Sequence, residues 1–405
     1  MSSTAPSMAP APSFDSWQSL TAGVYLAIVG YTVTVGIPVI STAWVSLLGF
    51  SEAQVGRVAG ADLGGLSIGS VIAAMLAARM NRQLLIYSAL GIAAGANVFC
   101  LYYTDYSTVL ALRLLAGIGS GLYTGMAIAT LGASSKPAKA LNLLLFVFAF
   151  SQAAEVYFLP KMPMNGIYGV FIITNLIGFL VVRWVPPRPV MVSSTEPATA
   201  APQPMLANGL LEGVPRLAPW LVLAAVALSY LNIGAYWTYI ELAAAASPTA
   251  DPDWVGNSLV IASFCSILGC LVATVLSDRF GLARPLIVSM FCHALVVIML
   301  AAGINNVNIF ISLFSFNFLW VFIDVYQSAT IANVDKSGRY VALVPAAQGL
   351  GQILGPNIAA SILAYNLGYA PVFIMAGAAS FTGMLIYGYM YLRLRRAIPI
   401  LADAS

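Results

Sequence analysis

Residues 276–285 read L-S-D-R-F-G-L-A-R-P and place three charged side chains, Asp278, Arg279 and Arg284, directly after an apolar run that starts at Leu259. The surrounding chain has 405 residues, of which 60% are hydrophobic and 8% are charged. A soluble domain carries about 25% charged residues, so charge is scarce here and its position is informative. The stretch indicates the end of a membrane-spanning segment, because charged side chains are tolerated where a helix leaves the bilayer.

Apolar segments of about 20 residues, each long enough to cross a bilayer as an α-helix, recur along the whole chain. Together with a mean hydropathy of +0.90, they predict an all-α membrane protein with twelve transmembrane helices. No nucleophile elbow, H-E-x-x-H or Walker A sequence occurs, so no enzyme, cofactor or metal site is predicted. The predicted helices cover residues 19–47, 52–78, 84–103, 107–132, 139–160, 166–185, 218–246, 254–277, 285–303, 308–333, 340–365 and 369–392.

The connection at residues 186–217 is rich in Pro, Ala, Ser and Thr and is longer than the others. It predicts a flexible cytoplasmic linker between two sets of six helices. The two sets match at an offset of 200 residues, since K-P-A-K at 136–139 corresponds to K-S-G-R at 336–339. The sequence therefore predicts two pseudo-symmetric six-helix bundles. The predicted divisions are an N-terminal tail (1–18), a first bundle (19–185), the linker, a second bundle (218–392) and a C-terminal tail (393–405).

Positive charges collect on one side of the predicted membrane. Fourteen of the 17 Lys and Arg residues lie on that side, whereas Lys161 lies in a loop on the other. Because cytoplasmic loops carry an excess of Lys and Arg, the pattern predicts cytoplasmic termini in an inner or plasma membrane. The fourteen residues are Arg79, Arg82, Lys136, Lys139, Arg183, Arg188, Arg216, Arg279, Arg284, Lys336, Arg339, Arg393, Arg395 and Arg396.

The four cysteines, Cys100, Cys265, Cys270 and Cys292, all lie inside apolar segments and form no C-x-x-C pair. We expect them to be free, buried thiols. Residues 1–17 contain no Lys or Arg, so no signal peptide is predicted. The first apolar segment is expected to remain as a membrane helix.

Two motifs carry a resemblance to a known family. D-R-F-G-L-A-R at 278–284 is similar to the loop motif D-R-x-G-R-R of the major facilitator superfamily, and R-L-L-A-G-I-G-S-G at 113–121 resembles its helix-4 motif R-x-x-x-G-x-G. The first-half copy of the loop motif, A-R-M-N-R at 78–82, departs from the pattern at Ala78 and Asn81. With twelve predicted helices and a central linker, the resemblance extends over nearly the whole chain.

The resemblance implies two six-helix bundles around a central cavity and transport by alternating access. It also implies that the loop motif acts as a latch between helices. The candidate gating residues are Asp278, Arg279, Gly281 and Arg284, with Arg79 and Arg82 from the first copy. Gly281 permits a tight turn. Asp278 is expected to be the more important acidic residue of the latch, because Ala78 replaces the Asp in the first-half copy.

Glycines spaced by four residues occur in two of the predicted helices. Gly56, Gly60 and Gly64 form one series, and Gly351 and Gly355 form another. Small residues at this spacing allow helices to approach closely. In the resembled family these two helices meet between the halves, so both series are expected at that interface.

Carboxylates at membrane depth are costly and therefore indicate a function. Asp324, Asp62 and Glu155 are the candidate proton-coupling residues, with Asp324 and Asp62 ranked first by depth. The alternative for each is a static ion pair or a capped polar residue that holds helices together.

Candidate substrate-binding residues combine aromatic surface with polar tips, which suits a small organic solute. Arg113 is a candidate anchor for a substrate carboxylate; its alternative is a hydrogen-bonded helix staple. Gln152 and Gln352 are expected to face each other across the cavity, and His293 is expected to be a buried structural residue. The remaining candidates are Tyr31, Tyr123, Asn232, Tyr236, Trp237, Tyr326 and Gln327.

These features predict a monomeric secondary transporter that takes up a small organic solute, an aromatic or carboxylic acid, by proton symport. Its partners are the solute, protons and the lipid bilayer, and no nucleic acid. One alternative is a proton-coupled efflux antiporter of amphipathic compounds; helix 5 lacks the G-x-x-x-G-P sequence of many such exporters. The other alternative is a transporter-like sensor or scaffold that does not cycle.

Overall fold

The computed structural model describes residues 13–77, 79–187, 217–335 and 340–397, without the side chains of residues 138, 277, 278, 342, 394 and 397. Parts of the predicted tails and residues 188–216 of the predicted linker lie outside the described residues. The described fold is all-α, with thirteen α-helices. They are α1 (Trp17–Leu48), α2 (Glu52–Leu76), α3 (Arg82–Phe99), α4 (Tyr106–Gly132), α5 (Pro137–Phe158), α6 (Met164–Val181), α7 (Ala218–Ala245), α8 (Pro252–Ala262), α9 (Cys265–Phe280), α10 (Ala283–Ile298), α11 (Asn306–Val334), α12 (Val344–Ala364) and α13 (Tyr369–Ala397).

The predicted helix at 254–277 is interrupted. It forms α8 and α9, which are separated at Ser263 and Phe264 and together account for one membrane span, Pro252–Leu276. Ten segments of the described chain are long and apolar enough to cross a membrane. The other two predicted spans correspond to α3 and α12. Polar residues such as Gln348 and Asn357 make α12 less apolar, and it packs between α2 and α7.

Helix starts in the two sets follow the 200-residue offset, as the starts of α2 and α8 at Glu52 and Pro252 show. We call α1–α6 the first half and α7–α13 the second half. The domain boundaries remain a prediction, because much of the linker lies outside the described residues.

Local sequence signals set several helix ends. Ser51 and Gln54 form a capping box that starts α2. The Asp105 carboxylate starts α4 by accepting from the Thr108 backbone N–H at 2.9 Å, which holds the Asp105 pKa below its usual value. Gly281 ends α9 with φ 67° and ψ −172°, a conformation that residues with a Cβ rarely adopt.

The helix-4 motif forms a backbone contact on both sides of α4. A Cβ at Gly121 would collide with the carbonyl oxygen of Leu66 in α2, and one at Gly119 would lie 2.7 Å from the Ala89 carbonyl in α3. Glycine is therefore needed at both positions for three helices to approach this closely. The glycines of R-L-L-A-G-I-G-S-G have a packing role that explains their spacing.

The two predicted glycine series face different neighbours. Gly56, Gly60 and Gly64 of α2 pack on α12 and join the two halves. Gly351 and Gly355 of α12 instead lie against the backbone of α7, inside the second half. The expectation that the α12 glycines lie between the halves is therefore wrong. One face of α12 packs on α2, and its glycine face packs on α7.

The cysteines are free, but only Cys100 is buried. Cys265, Cys270 and Cys292 are partly exposed, so the expectation of burial is wrong for these three. A partly exposed thiol on a lipid-facing helix surface remains in an apolar environment, which is why the sequence pattern alone did not separate the two locations.

We predict that Gly121→Ala lowers the thermal unfolding midpoint of the purified protein, because the new methyl group meets the backbone of α2 rather than a movable side chain. Overpacking of this kind costs about 1–3 kcal/mol. Gly91→Ala in α3 is the control, since a Cβ there meets nothing within 4 Å. Equal midpoints for the two variants would contradict the packing role.

Candidate substrate and proton site

The two halves contact each other at the ends of the helices that lie away from the basic loops; we call this the far end and the opposite end the basic end. Trp237 Nε1 donates to the Thr34 carbonyl at 3.1 Å, and the Tyr239 hydroxyl donates to the Glu52 carbonyl at 2.9 Å. Nearer the middle, the Gln152 amide donates to Asn317 Oδ1 at 3.2 Å.

Among the described residues, the hydrogen bonds and ring contacts between halves all lie in the middle or toward the far end. Phe150 and Phe264, with ring centroids 5.1 Å apart, mark the level nearest the basic end. The hydrogen bonds and ring contacts between the halves are therefore concentrated toward the far end, and α2 and α12 also meet nearer the basic end, where Gly349 lies against Ser67.

Asp324 lies on α11, nearer the basic end of that helix than Asn317, which contacts Gln152 of the first half. Its Oδ1 accepts from the Tyr230 hydroxyl at 2.8 Å and from Gln348 Nε2 at 2.9 Å. Tyr31 of the first half lies close enough to interact electrostatically with the carboxylate. Asp324 is only partly buried, and the described residues provide it with neutral donors but no cation.

Further aromatic side chains contact the two tyrosines next to this carboxylate. Tyr31 packs edge-on against Phe148 at 5.8 Å, and Trp320 interacts with the Tyr230 hydroxyl. Tyr31, Phe148 and Trp320 are half-buried, so their rings are partly available to a ligand. We call the following group the central site: Tyr31, Phe148, Tyr230, Trp320, Asp324 and Gln348.

Asp62 and Arg113 form a buried ion pair inside the first half. Asp62 Oδ2 accepts from Arg113 Nε at 2.6 Å and Nη2 at 2.5 Å, and Asn97 Oδ1 accepts from Nη1 at 2.7 Å. The Arg113 side chain is 1% exposed. The guanidinium is thus occupied by partners on α2 and α3 and is not available to a solute in this conformation.

Aromatic residues complete the surroundings of Arg113. Its guanidinium lies 5.9 Å from the Tyr168 ring centroid and 5.8 Å from that of Phe171, both on α6. Trp44 Nε1 donates to the Tyr168 hydroxyl at 3.2 Å. The ion pair therefore joins α2, α3, α4 and α6, which matches the alternative of a helix staple.

The structure places Asn232 and Tyr236 within the second half rather than in the central site. Asn232 Nδ2 lies 3.3 Å from His293 Nδ1. The Tyr236 hydroxyl lies 2.8 Å from Ser312 Oγ, and its ring stacks on Phe316 at 3.9 Å. Both residues are fully buried, so they bind neighbouring helices and not the space between the halves.

Other predicted residues are also committed to packing. The Tyr326 hydroxyl donates to the Ala273 carbonyl at 3.2 Å, and Gln327 Nε2 donates to Ser229 Oγ at 3.0 Å. Tyr123 is fully buried against Gly30 of α1. Trp237 is buried at the contact between the halves.

The expected pairing of Gln152 with Gln352 is replaced by the pairing of Gln152 with Asn317. Gln352 is buried where α12 meets Gly234 of α7. Gln152 and Gln352 occupy equivalent positions in the two halves. Equivalent positions need not be in contact.

The gating candidates at the basic end differ in exposure. Arg79, Arg279 and Arg284 are exposed. Arg82 is buried and donates from Nη1 to the Ala129 carbonyl at 3.4 Å, so it anchors the start of α3 to α4. The side chain of Asp278 lies outside the described residues.

Sequence reasoning did not select Phe148, Tyr230, Trp320 or Gln348. Gln348 carried a usable signal, because it lies one helical turn before Gln352 on the same side of α12. The aromatic residues carried none, since tyrosine, tryptophan and phenylalanine are common throughout these apolar helices.

A family model described as the Major Facilitator Superfamily matches residues 22–334, which is more than half of the chain. The chain therefore belongs to the major facilitator superfamily. It is a transporter and a multi-pass membrane protein. Its family and fold are those of transporters and not of enzymes.

Solved structures of two transporters show the same fold. The nucleoside transporter NupG aligns with a TM-score of 0.71 at 12% identity, covering 92% of this chain and 99% of that one. A bacterial homolog of the human lysosomal transporter Spinster, in an inward-facing and unoccupied conformation, aligns at 0.67 and 15% identity, covering 96% and 98%. At these identities the likeness concerns the fold alone.

One curated relative matches locally. The 4-hydroxybenzoate transporter PcaK of Acinetobacter baylyi is 30% identical over 84 residues, which is 21% of this chain and 18% of that protein. The match spans less than a fifth of the relative's length.

We predict that Asp62→Asn strongly destabilises the protein, because it leaves the Arg113 guanidinium buried without a counter-charge. Breaking a buried ion pair in this way costs about 3–5 kcal/mol. The double variant Asp62→Asn/Arg113→Gln removes both charges and should recover most of the lost stability. Thermal unfolding of each variant in detergent, followed by intrinsic fluorescence, measures the coupling; a stable single variant would contradict the staple.

Proposed function

We propose that this transporter carries a small aromatic acid into the cell together with a proton, with Asp324 as the proton carrier of the central site. The observation that carries the proposal is the environment of Asp324. It is a carboxylate at membrane depth, hydrogen-bonded to Tyr230 and Gln348 and lacking a cation among the described residues.

Asp324 fits the role better than Asp62. An ionised carboxylate without a cation at membrane depth is costly, and gaining a proton removes that cost. Asp62 already has a cation, since Arg113 contacts it through two nitrogens. Protonation of Asp62 would break its ion pair with Arg113. Protonation of Asp324 would weaken only its hydrogen bonds from neutral donors.

Charge links the proton to the solute. An ionised Asp324 would repel a carboxylate in the same cavity, and it occupies the Tyr230 hydroxyl and the Gln348 amide. A proton on Asp324 removes the repulsion and frees these donors to bind the solute's carboxylate. An acid therefore binds well only after the proton, which is the condition for symport.

The aromatic ring of the solute has a matching surface. Tyr31, Phe148 and Trp320 offer partly exposed rings next to Asp324 or its tyrosine neighbours, and ring stacking favours a flat aromatic solute. The local match to a 4-hydroxybenzoate transporter supports the same class of substrate. Arg113 does not contribute, because its guanidinium is occupied by Asp62 and Asn97.

The direction of opening follows from charge. Since basic loops face the cytoplasm, the basic end is assigned to the cytoplasmic side of the inner or plasma membrane. The far-end contacts between halves then close the path to the outside. In this proposal the conformation is the inward-open member of an alternating-access cycle that one chain carries out.

We predict that Asp324→Asn abolishes proton-driven accumulation while retaining exchange of solute across the membrane. Asparagine keeps the size and hydrogen bonds of a protonated carboxyl but cannot release a proton. Radiolabelled 4-hydroxybenzoate uptake into proteoliposomes with an imposed inward proton gradient should fall about tenfold or more. Counterflow, which needs no net proton movement, should continue.

Asp105→Asn is the matched control, because this exposed residue caps α4 outside the central site and asparagine also caps helices. It should accumulate the solute like the wild type. Wild-type accumulation in Asp324→Asn would overturn the assignment. Transport of aromatic amines but not acids would overturn the substrate class, and gradient-driven extrusion of lipophilic compounds would establish the efflux alternative.

A further inference from the structure

Arg82 ends the first-half copy of the loop motif and starts α3 at the basic end. Its backbone N–H donates to the Pro187 carbonyl at 3.0 Å. Beside it, Gln83 Nε2 donates to the Val185 carbonyl at 2.7 Å. Val185 and Pro187 lie where the chain leaves the first half and enters the linker. This copy of the motif therefore fixes the beginning of the linker to α3.

The side chain of Arg82 binds the last turn of α4. Nη1 lies 3.4 Å from both the Ala129 carbonyl oxygen and Thr130 Oγ1, and Arg82 is 5% exposed. The C-terminal end of a helix carries partial negative charge, which favours a cation at this position. Within the described residues, Arg82 has no ion pair with a carboxylate, and its hydrogen bonds go to the first half and to the start of the linker.

Residues 13–16, which we call the N-terminal strap, cover the same place. The ring centroid of Phe14 lies 5.1 Å from Arg82 Cζ, within the range of a cation–π contact. The next residue, Asp15, accepts through Oδ1 from the backbone N–H of Ser135 at 2.7 Å. Ser135 belongs to the loop that joins α4 to α5. The strap thus runs from the start of α1 across Arg82 to the α4–α5 loop.

Local hydrogen bonds give the strap a defined turn. Ser16 Oγ donates to the Ser13 carbonyl at 2.8 Å, and the Asp15 backbone N–H donates to Ser13 Oγ at 3.3 Å. Ser16 Oγ also accepts from the Ser19 backbone N–H at 3.2 Å and so caps α1. The turn therefore continues directly into α1 and holds the Asp15 side chain in position.

The contact of Asp15 with the loop is made by an ionised carboxylate. The hydrogen bond from Ser135 holds the Asp15 pKa below its usual value, and the nearby Lys136 charge acts in the same direction. A hydrogen bond to an ionised group is stronger than one between neutral groups. Because this contact is exposed, water weakens it, and the strap also needs the contact of Phe14 with Arg82.

The second half supplies the corresponding carboxylate differently. Asp335 lies 200 residues after Ser135, at the equivalent position of the repeat. Its Oδ2 accepts from the backbone N–H groups of Tyr340 at 2.5 Å and Val341 at 2.9 Å. The connection before α12 therefore contains its own carboxylate. The first half has a serine at this position, and a carboxylate reaches the loop from the strap.

We propose that the first-half copy of the loop motif is an anchor and not a latch between the halves: Arg82 fastens the N-terminal strap and the start of the linker to the first half, and Asp15 holds the α4–α5 loop. The residue 200 positions after Arg82 is Leu282, so the second copy has no equivalent anchor. The strap is in this sense a part of the first half that the second half does not need.

The anchor is independent of the proposed function. It requires neither an aromatic solute nor proton coupling, because all of its contacts lie at the basic end of the first half. Its test therefore measures hydrogen bonding and conformation and does not depend on transport.

The first measurement is hydrogen–deuterium exchange of the full chain in nanodiscs, followed by mass spectrometry. The Ser135 amide is the direct reporter, since its acceptor is Asp15 Oδ1. Asp15→Ala should speed exchange in peptides covering residues 133–136 by about tenfold, because an exposed amide without an acceptor is not protected. Asp15→Asn should keep most of the protection, since its side-chain carbonyl also accepts. Arg79→Ala, an exposed residue of the same motif copy, is the matched control and should exchange like the wild type.

Arg82→Ala should raise exchange in the same peptides, because the strap loses its contact with the guanidinium. Arg82→Lys keeps a cation under Phe14 and should have a smaller effect. Phe14→Ala/Asp15→Ala removes the strap without touching a buried residue, which keeps the test decisive if Arg82→Ala does not fold. Exchange in peptides of α11 should not change in any folded variant. Wild-type exchange at residues 133–136 in Asp15→Ala would overturn the role of the strap.

The second measurement separates an anchor from a latch. Spin labels at Leu143→Cys and Leu392→Cys, which are 47% and 55% exposed, report the distance between the halves in a background with the native cysteines replaced by alanine. An anchor predicts the same distance distribution in the wild type, in Arg82→Lys and in Phe14→Ala/Asp15→Ala. A shift of the distribution toward a wider or narrower basic end in these variants would identify a latch and overturn the proposal.

Discussion

The cost of an uncompensated charge inside a bilayer is the constraint on which this structure depends. The chain has few ionisable groups at membrane depth, and each is placed in a different electrical environment. In the part of the chain that the structure describes, Asp62 has a cation, Asp324 has neutral donors, and Glu155 and Glu241 each leave one buried oxygen without a partner. This gradation distinguishes the ion-paired Asp62 from the carboxyl groups that have no cation among the described residues.

Backbone contact supplies the second condition, namely a rigid first half. Gly119 and Gly121 let α4 approach α3 and α2 so closely that side chains are excluded, and Arg113 then reaches both Asp62 and Asn97. The same helix face thus combines van der Waals contact with charge pairing. Such a half can move as one body, which is what alternating access requires.

The interface between the halves is different in kind. It consists of a few long-range hydrogen bonds, such as Trp237 to Thr34, together with the glycine face of α2 against α12. Smooth surfaces with few bonds can separate and re-form at low cost.

The sequence by itself determined the class of protein, the approximate position of the twelve predicted spans and the residues that could carry charge through a membrane. These follow from composition and from segment length, which the thickness of the bilayer sets. The caps at Ser51 and Asp105 are equally local, because each depends on residues within one helical turn.

Only the tertiary structure decided which helix face points where. These helices are apolar on most sides, so no hydrophobic stripe distinguishes the face toward the centre from the face toward a neighbouring helix. Asn232 and Tyr236 share a face in the sequence, but that face meets α10 and α11. Asp62 and Asp324 look alike in the sequence, and they differ because long-range packing gives Arg113 to one and Tyr230 to the other.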